Sequence, residues 1–293
     1  MLKNLLIAMD LSSASITLLR CVGPLRDAGA ETAALLHVMN VRDVGGLYIS
    51  LKNLVEPFLK EKEKEVGEMG FRTRMEIRLG NPAFEINRYA KEEDVSLIVA
   101  GTHGESLGKE MLLGGVVHRL LQLAEKPVLL IPISIFKGEG GEKKCEVLCG
   151  DFFRHPLFAT DFSEPAAKAF DYLEHIVERT RPKGTTLYHV QDEGRINPYL
   201  AHRLGEFNRI DLERLDALEV RLKKRGAGAV HKELEFGRPG PLIVEKIRKG
   251  GHSLLVIAGQ GRGYMAEAFL GRVANHVVHR ATVPILVVPG IHR

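Results

Sequence analysis

The stretch LIVAGTHGESLGKEMLLGGVVHRLLQLAEKPVLLIP, residues 97–132, decides the fold. It holds two short continuous apolar runs, a glycine-rich loop after the first of them, and a segment of helical period between loop and second run. Apolar runs of four or five residues suit strands buried on both faces, and the segment between them suits a crossover helix joining parallel strands. The pattern then returns: LVIAGQG ends at Gly261 and VPILVVP ends at Pro289.

Working outward, every landmark upstream also occurs twice and in the same order. RLGNP to Pro82 returns as EFGRP to Pro239, and LLHVMN to Asn40 returns as LYHVQD to Asp192. LLIAMDLSSAS, residues 5–15, returns as PLFATDFSEPA, residues 156–166. Ordered recurrence of this kind marks a tandem duplication of one domain. The offset is 151 at Asp10 and Asp161, 152 at His37 and His189, and 157 at Pro127 and Pro284, so the middle of the second copy has grown. Matching Gly101 to Gly259 gives 158, and matching Gly114 to Gly271 gives 157. That step predicts a one-residue deletion in the second glycine loop.

The pattern predicts an α/β fold of two tandem doubly wound domains, each a five-stranded, mostly parallel sheet with helices on both faces. In the first copy the strands are expected at Leu5–Met9, Thr32–Val38, Arg72–Leu79, Leu97–Gly101 and Val128–Ile131. Helices are expected at Ser13–Ala28, about Leu51–Met69, Pro82–Glu92 and Gly114–Leu123. The run KGEGGEKK from Lys137 reads as an exposed linker, which predicts domain 1 at 1–136, a linker at 137–154 and domain 2 at 155–293.

Composition narrows the class. The chain has 293 residues, 41 Lys and Arg against 37 Asp and Glu, and no Trp. A surplus of four positive charges over two domains is too small to argue for nucleic acid or a membrane surface. The three cysteines, Cys21, Cys145 and Cys149, have neither disulfide-framework nor zinc spacing. They predict a reducing, cytoplasmic setting, with Cys145 and Cys149 as free thiols. No apolar stretch approaches the length of a signal or membrane segment.

In open parallel sheets the ligand sits beyond the carboxyl ends of the strands, where the strand order reverses. Those ends carry Asp10, Val38 and the loop from Gly101. Glycines let backbone amides approach an anion, and a helix N-terminus offers unpaired N–H groups, so a phosphate is the expected guest. The loop is not a Walker motif, because GESLGKE has three residues between its glycines and Glu110 where a Ser or Thr would hold magnesium. Nor is it the dinucleotide fingerprint, which follows the first strand of a repeat.

Gly101-x2-Gly104-x9-Gly114, preceded by LIVA and followed by a helix and KPVLLIP, resembles the nucleotide loop of the universal stress protein family. Asp10 after the first strand and His37-Val38 after the second resemble that family too, and the likeness covers nearly the whole chain in two copies. It implies an adenine nucleotide, AMP or ATP, with the Val38 backbone reading the base, Asp10 near the adenosine, and amides around Gly104, Gly115 and Val116 taking phosphates. The implied site is Met9, Asp10, Val38, Gly101, His103, Gly104, Gly114, Gly115 and Val116 in the first copy. In the second it is Thr160, Asp161, Val190, Gly259, Gly261, Arg262, Gly271, Arg272 and Val273. No metal is required.

The departures bear on affinity. ATP-binding members of the family usually carry Ser or Thr directly after the last glycine, and this chain has Gly115 and Arg272 there. Gly115 keeps the backbone donor and forgoes one side-chain hydrogen bond, about 1 kcal/mol, which favours a shorter phosphate chain such as AMP. Arg272 either clamps a phosphate or fills its place. His37 and His189 read as satisfied strand-end residues, and His276 and His279 as surface or interface histidines.

The resulting expectation is an adenine-nucleotide-binding stress or regulatory protein and not an enzyme, with slow incidental ATP hydrolysis left open. The resemblance implies pseudo-twofold pairing of the halves through their last strands, and a homodimer of the whole chain is a further expectation. The rival is a nucleotide-free protein-interaction module of the same fold. A nucleotide-processing enzyme of the wider adenine-binding group lacks its expected HxGH signature.

Overall fold

The computed structural model describes residues 1–41, 47–102, 113–137, 143–147, 151–192, 203–261 and 270–290. The chain divides into two compact units, Met1–Gly150 and Asp151–Arg293.

Unit 1 contains β1 (Asn4–Met9), α1 (Ser13–Leu19), β2 (Thr32–Asn40), α2 (Tyr48–Glu68), β3 (Arg72–Gly80), α3 (Pro82–Glu92), β4 (Leu97–Gly101), α4 (Gly115–Leu123) and β5 (Val128–Ile131). Its sheet runs β5-β4-β1-β2-β3, and every neighbouring pair is parallel. Strands β1, β4 and β5 are deeply buried: Leu5, Leu6, Ile7, Leu97, Ile98, Val99 and Val128 to Ile131 are all at most 3% exposed. The edge strand β3 instead alternates, placing Arg72, Thr73, Arg74 and Glu76 along a polar rim, which blunts pairing with a foreign strand. A further hairpin, β6 (Ile133–Lys137) and β7 (Lys143–Val147), forms a separate antiparallel two-stranded sheet. Lys137 and Lys143 to Val147, within the stretch read as linker, thus lie on its two strands.

Unit 2 repeats the plan with β8 (Pro156–Thr160), α5 (Glu164–Thr180), β9 (Gly184–Asp192), α6 (Leu204–Lys224), β10 (Ala229–Gly237), α7 (Pro239–Lys249), β11 (Leu254–Ala258), α8 (Arg272–Val278) and β12 (Ile285–Val288). Its order is β12-β11-β8-β9-β10, again all parallel. Two tandem doubly wound units, as the repeats predict, are what the chain forms.

Two expectations need correction. The first helix was expected to reach Ala28 but ends at Leu19, followed by a 3-10 turn over Gly23–Arg26. Pro24 offers no N–H to the carbonyl four residues back and crowds it, so the α-helix cannot pass. Its counterpart α5 has proline only in its first turn and runs to Thr180. The second correction concerns sulfur. Cys21 is disulfide-bonded, and since the chain has only two other cysteines, the free-thiol expectation fails for one of them.

Local sequence explains the well-formed ends. Ser12 Oγ accepts from Ser15 N in α1, Ser163 Oγ from Ala166 N in α5, and Asn81 Oδ1 from Phe84 N in α3. Proline at the first helical position of α3 and of α7 sits where an N–H has no partner to lose. A buried charge is handled in unit 2 by Arg221, which donates to both Glu174 oxygens at 3.0 and 2.8 Å and to Asp171 at 2.9 Å, with its guanidinium over the Phe170 ring.

The amino end of unit 2's sheet gathers three histidines. The His155 ring lies 4.7 Å from that of His252 and 6.0 Å from that of His231, centroid to centroid. His252 is 7% exposed; burial, then the neighbouring His155 and Lys246, push its pKa down from 6.5 to about 4. The unfolded chain therefore takes up a proton below pH 6.5 while the folded chain does not until about pH 4, so stability falls as pH drops through that window. The expected loss is on the order of 1 to 2 kcal/mol after allowance for solvent screening. Thermal melts of wild type and His252→Leu from pH 7 to pH 4.5 check it: the variant loses much of the slope, and equal slopes would refute the assignment.

Candidate functional site

The parallel registers bring the expected residues to one end of each sheet. In unit 1, Ile7 of β1 is level with Val99 of β4, and Met9 is level with His37 of β2. Continuing those registers, Asp10 leaves β1 beside Thr102 on one flank and Val38 on the other. Unit 2 does the same with Ile257 level with Ala159 and Thr160 level with His189.

The turn after the first strand is built identically in both units. Leu11 has φ +63° and Phe162 has φ +57°, a left-handed conformation costly for residues with a Cβ. It turns the aspartate back on the helix start. Asp10 Oδ1 accepts from Ser12 N at 3.1 Å and from Ser12 Oγ at 2.6 Å, and Asp161 Oδ1 accepts from Ser163 N at 3.0 Å. A strained turn kept in both copies, at the end of the sheet where ligands bind, was not read from the sequence. Its signal was present in Asp-x-Ser, a spacing that favours an Asx turn.

His37 and His189 act as braces. Nδ1 of His37 lies 3.0 Å from Met9 O, and Nδ1 of His189 lies 2.7 Å from Thr160 O, each tying the second strand to the end of the first. In unit 2 a polar group from α6 joins this brace: Asp211 accepts from Gln191 at 2.9 Å and from Arg214 at 3.1 Å and lies 3.4 Å from His189 Nε2. Unit 1 has Met39 at the strand position of Gln191 and Val55 at the helix position of Asp211. His276 also packs internally, its ring carbons 3.0 Å from where a Cβ on Gly240 would stand.

The glycine loops overturn the expected deletion. β4 and β11 begin at Leu97 and Leu254, and Ile98 pairs with Val128 as Leu255 pairs with Ile285, so the offset is 157 on both strands. Loop closure keeps it. Thr102 N donates to Ile131 O and Gly114 N to Thr102 O; in unit 2, Gly259 N donates to Val288 O and Gly271 N to Gly259 O. Gly259 thus stands in the place of Thr102, Ala258 in that of Gly101, and the two loops have equal length. Matching glycine to glycine had misaligned the copies by one.

Beyond each loop a helix begins on glycine. Gly114 caps α4 and Gly271 caps α8, and neither glycine offers a side chain to the first-turn N–H groups. In unit 1 a Cβ placed on Gly115 would meet nothing within 4 Å, so the space beside that first helical residue is open. In unit 2 a Cβ on Gly261 would stand 2.5 Å from Asp161 Oδ2, which puts the first-strand aspartate directly against the glycine loop. Val38 is half-buried, Val190 is 7% exposed, and Val116 and Arg272 are exposed. His103, Gly104 and Arg262 lie outside the described residues.

With that geometry in place, comparison with known proteins decides the family. The model of the Universal stress protein family matches residues 1–132 and 153–289. The chain belongs to the universal stress protein family. The universal stress protein MJ0577 of Methanocaldococcus jannaschii is 32% identical over 154 residues, 45% of this chain and 95% of that protein. Universal stress protein YxiE of Bacillus subtilis is 31% identical over 147 residues, 45% of this chain and 99% of its own. A solved universal stress protein from Archaeoglobus fulgidus superposes with a TM-score of 0.72 at 25% identity, over 97% of this chain and 95% of that one. Whole relatives of the first kind thus span one repeat of this universal stress protein, and the Archaeoglobus relative spans both.

The contact between Asp161 and the loop makes a stability test. Gly261→Ala forces the carboxylate aside and is expected to cost about 1 kcal/mol in denaturant unfolding. In an Asp161→Ala background most of that cost disappears, because the clash has gone; a cost unchanged by the second substitution would show that the two residues do not touch.

Proposed function

We propose that this universal stress protein binds an adenine nucleotide, AMP or ATP, at the carboxyl end of unit 1's sheet. The observation that carries the reading is the uncapped start of α4. Gly114 gives its first-turn N–H groups no side-chain cap, and the space beside Gly115 is open, near the carboxyl ends of β1 and β4. Free N–H groups and the helix dipole together favour a phosphate. The second-strand end at Val38 supplies backbone for the base, and Asp10, held by Ser12, faces the sugar. Unit 2 offers the same frame, with a loop of equal length and Arg272 at the helix start, where its guanidinium suits bidentate contact with phosphate. The role is binding: the functional groups gathered at the sheet end are backbone amides and a carboxylate engaged with its own turn.

One observation favours the rival reading of a protein-docking surface. Leu79, Phe84 and Val116, all near the same end of unit 1, are 42%, 50% and 46% exposed. Titration calorimetry of nucleotide-stripped protein with AMP, ADP and ATP separates the two, since a docking surface needs no nucleotide. Gly115→Glu is the informative variant. Its side chain enters open space, so folding is preserved, and its carboxylate stands where phosphate belongs. The expected result is at least a tenfold loss of affinity in unit 1. Gly115→Ser is expected to gain about fivefold by restoring one hydrogen bond, about 1 kcal/mol. Wild-type protein that binds none of the three nucleotides would contradict the proposal.

A further inference from the structure

The amino end of unit 1's sheet, opposite the end that carries Asp10, holds a cleft of about 390 Å³ whose lining includes Asn4, Thr32, Arg72, Arg74, Glu93 and Val95. Asn4, Thr32 and Arg72 are level across β1, β2 and β3, and Ala34 and Arg74 lie two residues further along the same face. The base of the cleft is tied together: Thr32 Oγ1 donates to Asn4 Oδ1 at 3.1 Å, and Asn4 Nδ2 donates to Asp94 O at 3.4 Å. We propose that this cleft is a second small-molecule site and takes a free α-amino acid, with its carboxylate on the arginines of β3 and its ammonium on Glu93.

The matching place in unit 2 shows that the fold does not require the space. Lys3 O accepts from Glu31 N and Thr32 N, as Arg154 O accepts from Lys183 N and Gly184 N. Asn4 N donates to Ser96 Oγ at 2.7 Å, as His155 N donates to Ser253 Oγ at 2.8 Å. His155 therefore stands for Asn4 and His252 for Val95, and the pairing of Gly184 with Ala229 puts His231 in the place of Arg74. The three imidazoles pack together there, with His155 Nε2 3.1 Å from Oγ1 of Thr186, the counterpart of Ala34. Unit 2 fills with rings the place that Asn4, Ala34 and Val95 leave open in unit 1.

The charges around the cleft have a direction. Arg72 and Arg74 stand on the β3 wall, and Arg72 uses one guanidinium nitrogen on Glu31 at 3.3 Å, which leaves the rest of its fork for a ligand. Glu93 directly follows α3, at the negative end of the helix dipole. It pairs with Arg74 at 2.7 Å, and the two side chains are 51% and 38% exposed, so the pair is weak and readily exchanged for ligand contacts. A carboxylate suits an arginine fork bidentately, an ammonium suits a carboxylate at a helix C-terminus, and Ala34 and Val95 offer apolar surface between them. A simple anion would face Glu93 and a simple cation the arginines; a zwitterion satisfies both walls. The site stands independently of nucleotide binding, which is proposed for the other end of the sheet.

NMR titration of the intact, isotope-labelled chain with each of the common L-α-amino acids tests the proposal. Saturable shifts at the amides of Asn4, Thr32, Thr73 and Val95 are expected with at least one of them, while the amides of His155 and His252 stay in place. For the tightest ligand, the analogue without its ammonium and the analogue without its carboxylate are each expected to bind at least tenfold more weakly. Arg72→Gln and Glu93→Gln change exposed side chains, and unchanged unit 2 spectra will show that both variants fold; each is expected to weaken binding at least fivefold. The proposal would be overturned by the absence of saturable shifts at these amides with every amino acid, by a ligand that binds equally well without its ammonium or without its carboxylate, or by wild-type affinity in either variant.

Discussion

Strand β1 hydrogen-bonds β2 on one side and β4 on the other, and β8 does the same with β9 and β11. That double pairing is the constraint on which the rest depends. The chain moves outward from β1 through β2 to β3, then returns across the sheet to β4, so the crossovers on either side of β1 lead away in opposite directions and leave a crevice at its carboxyl end. Leu5, Leu6 and Ile7, each at most 1% exposed, pin the strand in place. That end of the sheet is therefore set by a fully buried segment of the unit. Everything a ligand could meet there hangs from the ends of these strands: the left-handed turn at Leu11, the aspartate bonded to Ser12, the histidine brace and the uncapped helix.

Much of this was legible because its cause is local. Continuous apolar runs at Leu97–Gly101 and Val128–Ile131 could be nothing but doubly covered strands at that length, and β4 and β5 occupy those bounds. Capping serines, and prolines at helix starts, marked other ends. Failures came where the cause is not local. Pro24 inside an apolar, helix-like segment was outweighed by periodicity. Strands β6 and β7 were hidden by glycines and charges typical of a linker. The disulfide at Cys21 is likewise nothing that the spacing of three cysteines reveals. The supposed deletion came from matching residue identity, whereas hydrogen bonding follows strand register.

The two units are copies in backbone and not in detail. Around the brace, unit 2 adds Asp211, Gln191 and Arg214 where unit 1 has Val55, Met39 and Phe58. At the helix start, unit 2 has Arg272 and unit 1 an open glycine. Among the described residues, the antiparallel strand pair β6–β7 occurs in unit 1, as does the disulfide-bonded Cys21 after its first helix. Duplication has preserved what the fold requires, the strained turn and the glycine loop, while the side chains around them have diverged. This is the pattern expected if the frame provides phosphate affinity and the surrounding residues set which ligand and which signal each copy serves.

The measurement that tests the central claim most directly is photolabelling with an 8-azido adenine nucleotide followed by peptide mapping. If the crevice beyond β1 takes the nucleotide, label falls on the peptides carrying Met9 to Ser12 and His37 to Asn40, and unmodified AMP or ATP removes it. Label confined to other surfaces, or label that unmodified nucleotide does not displace, would contradict the account.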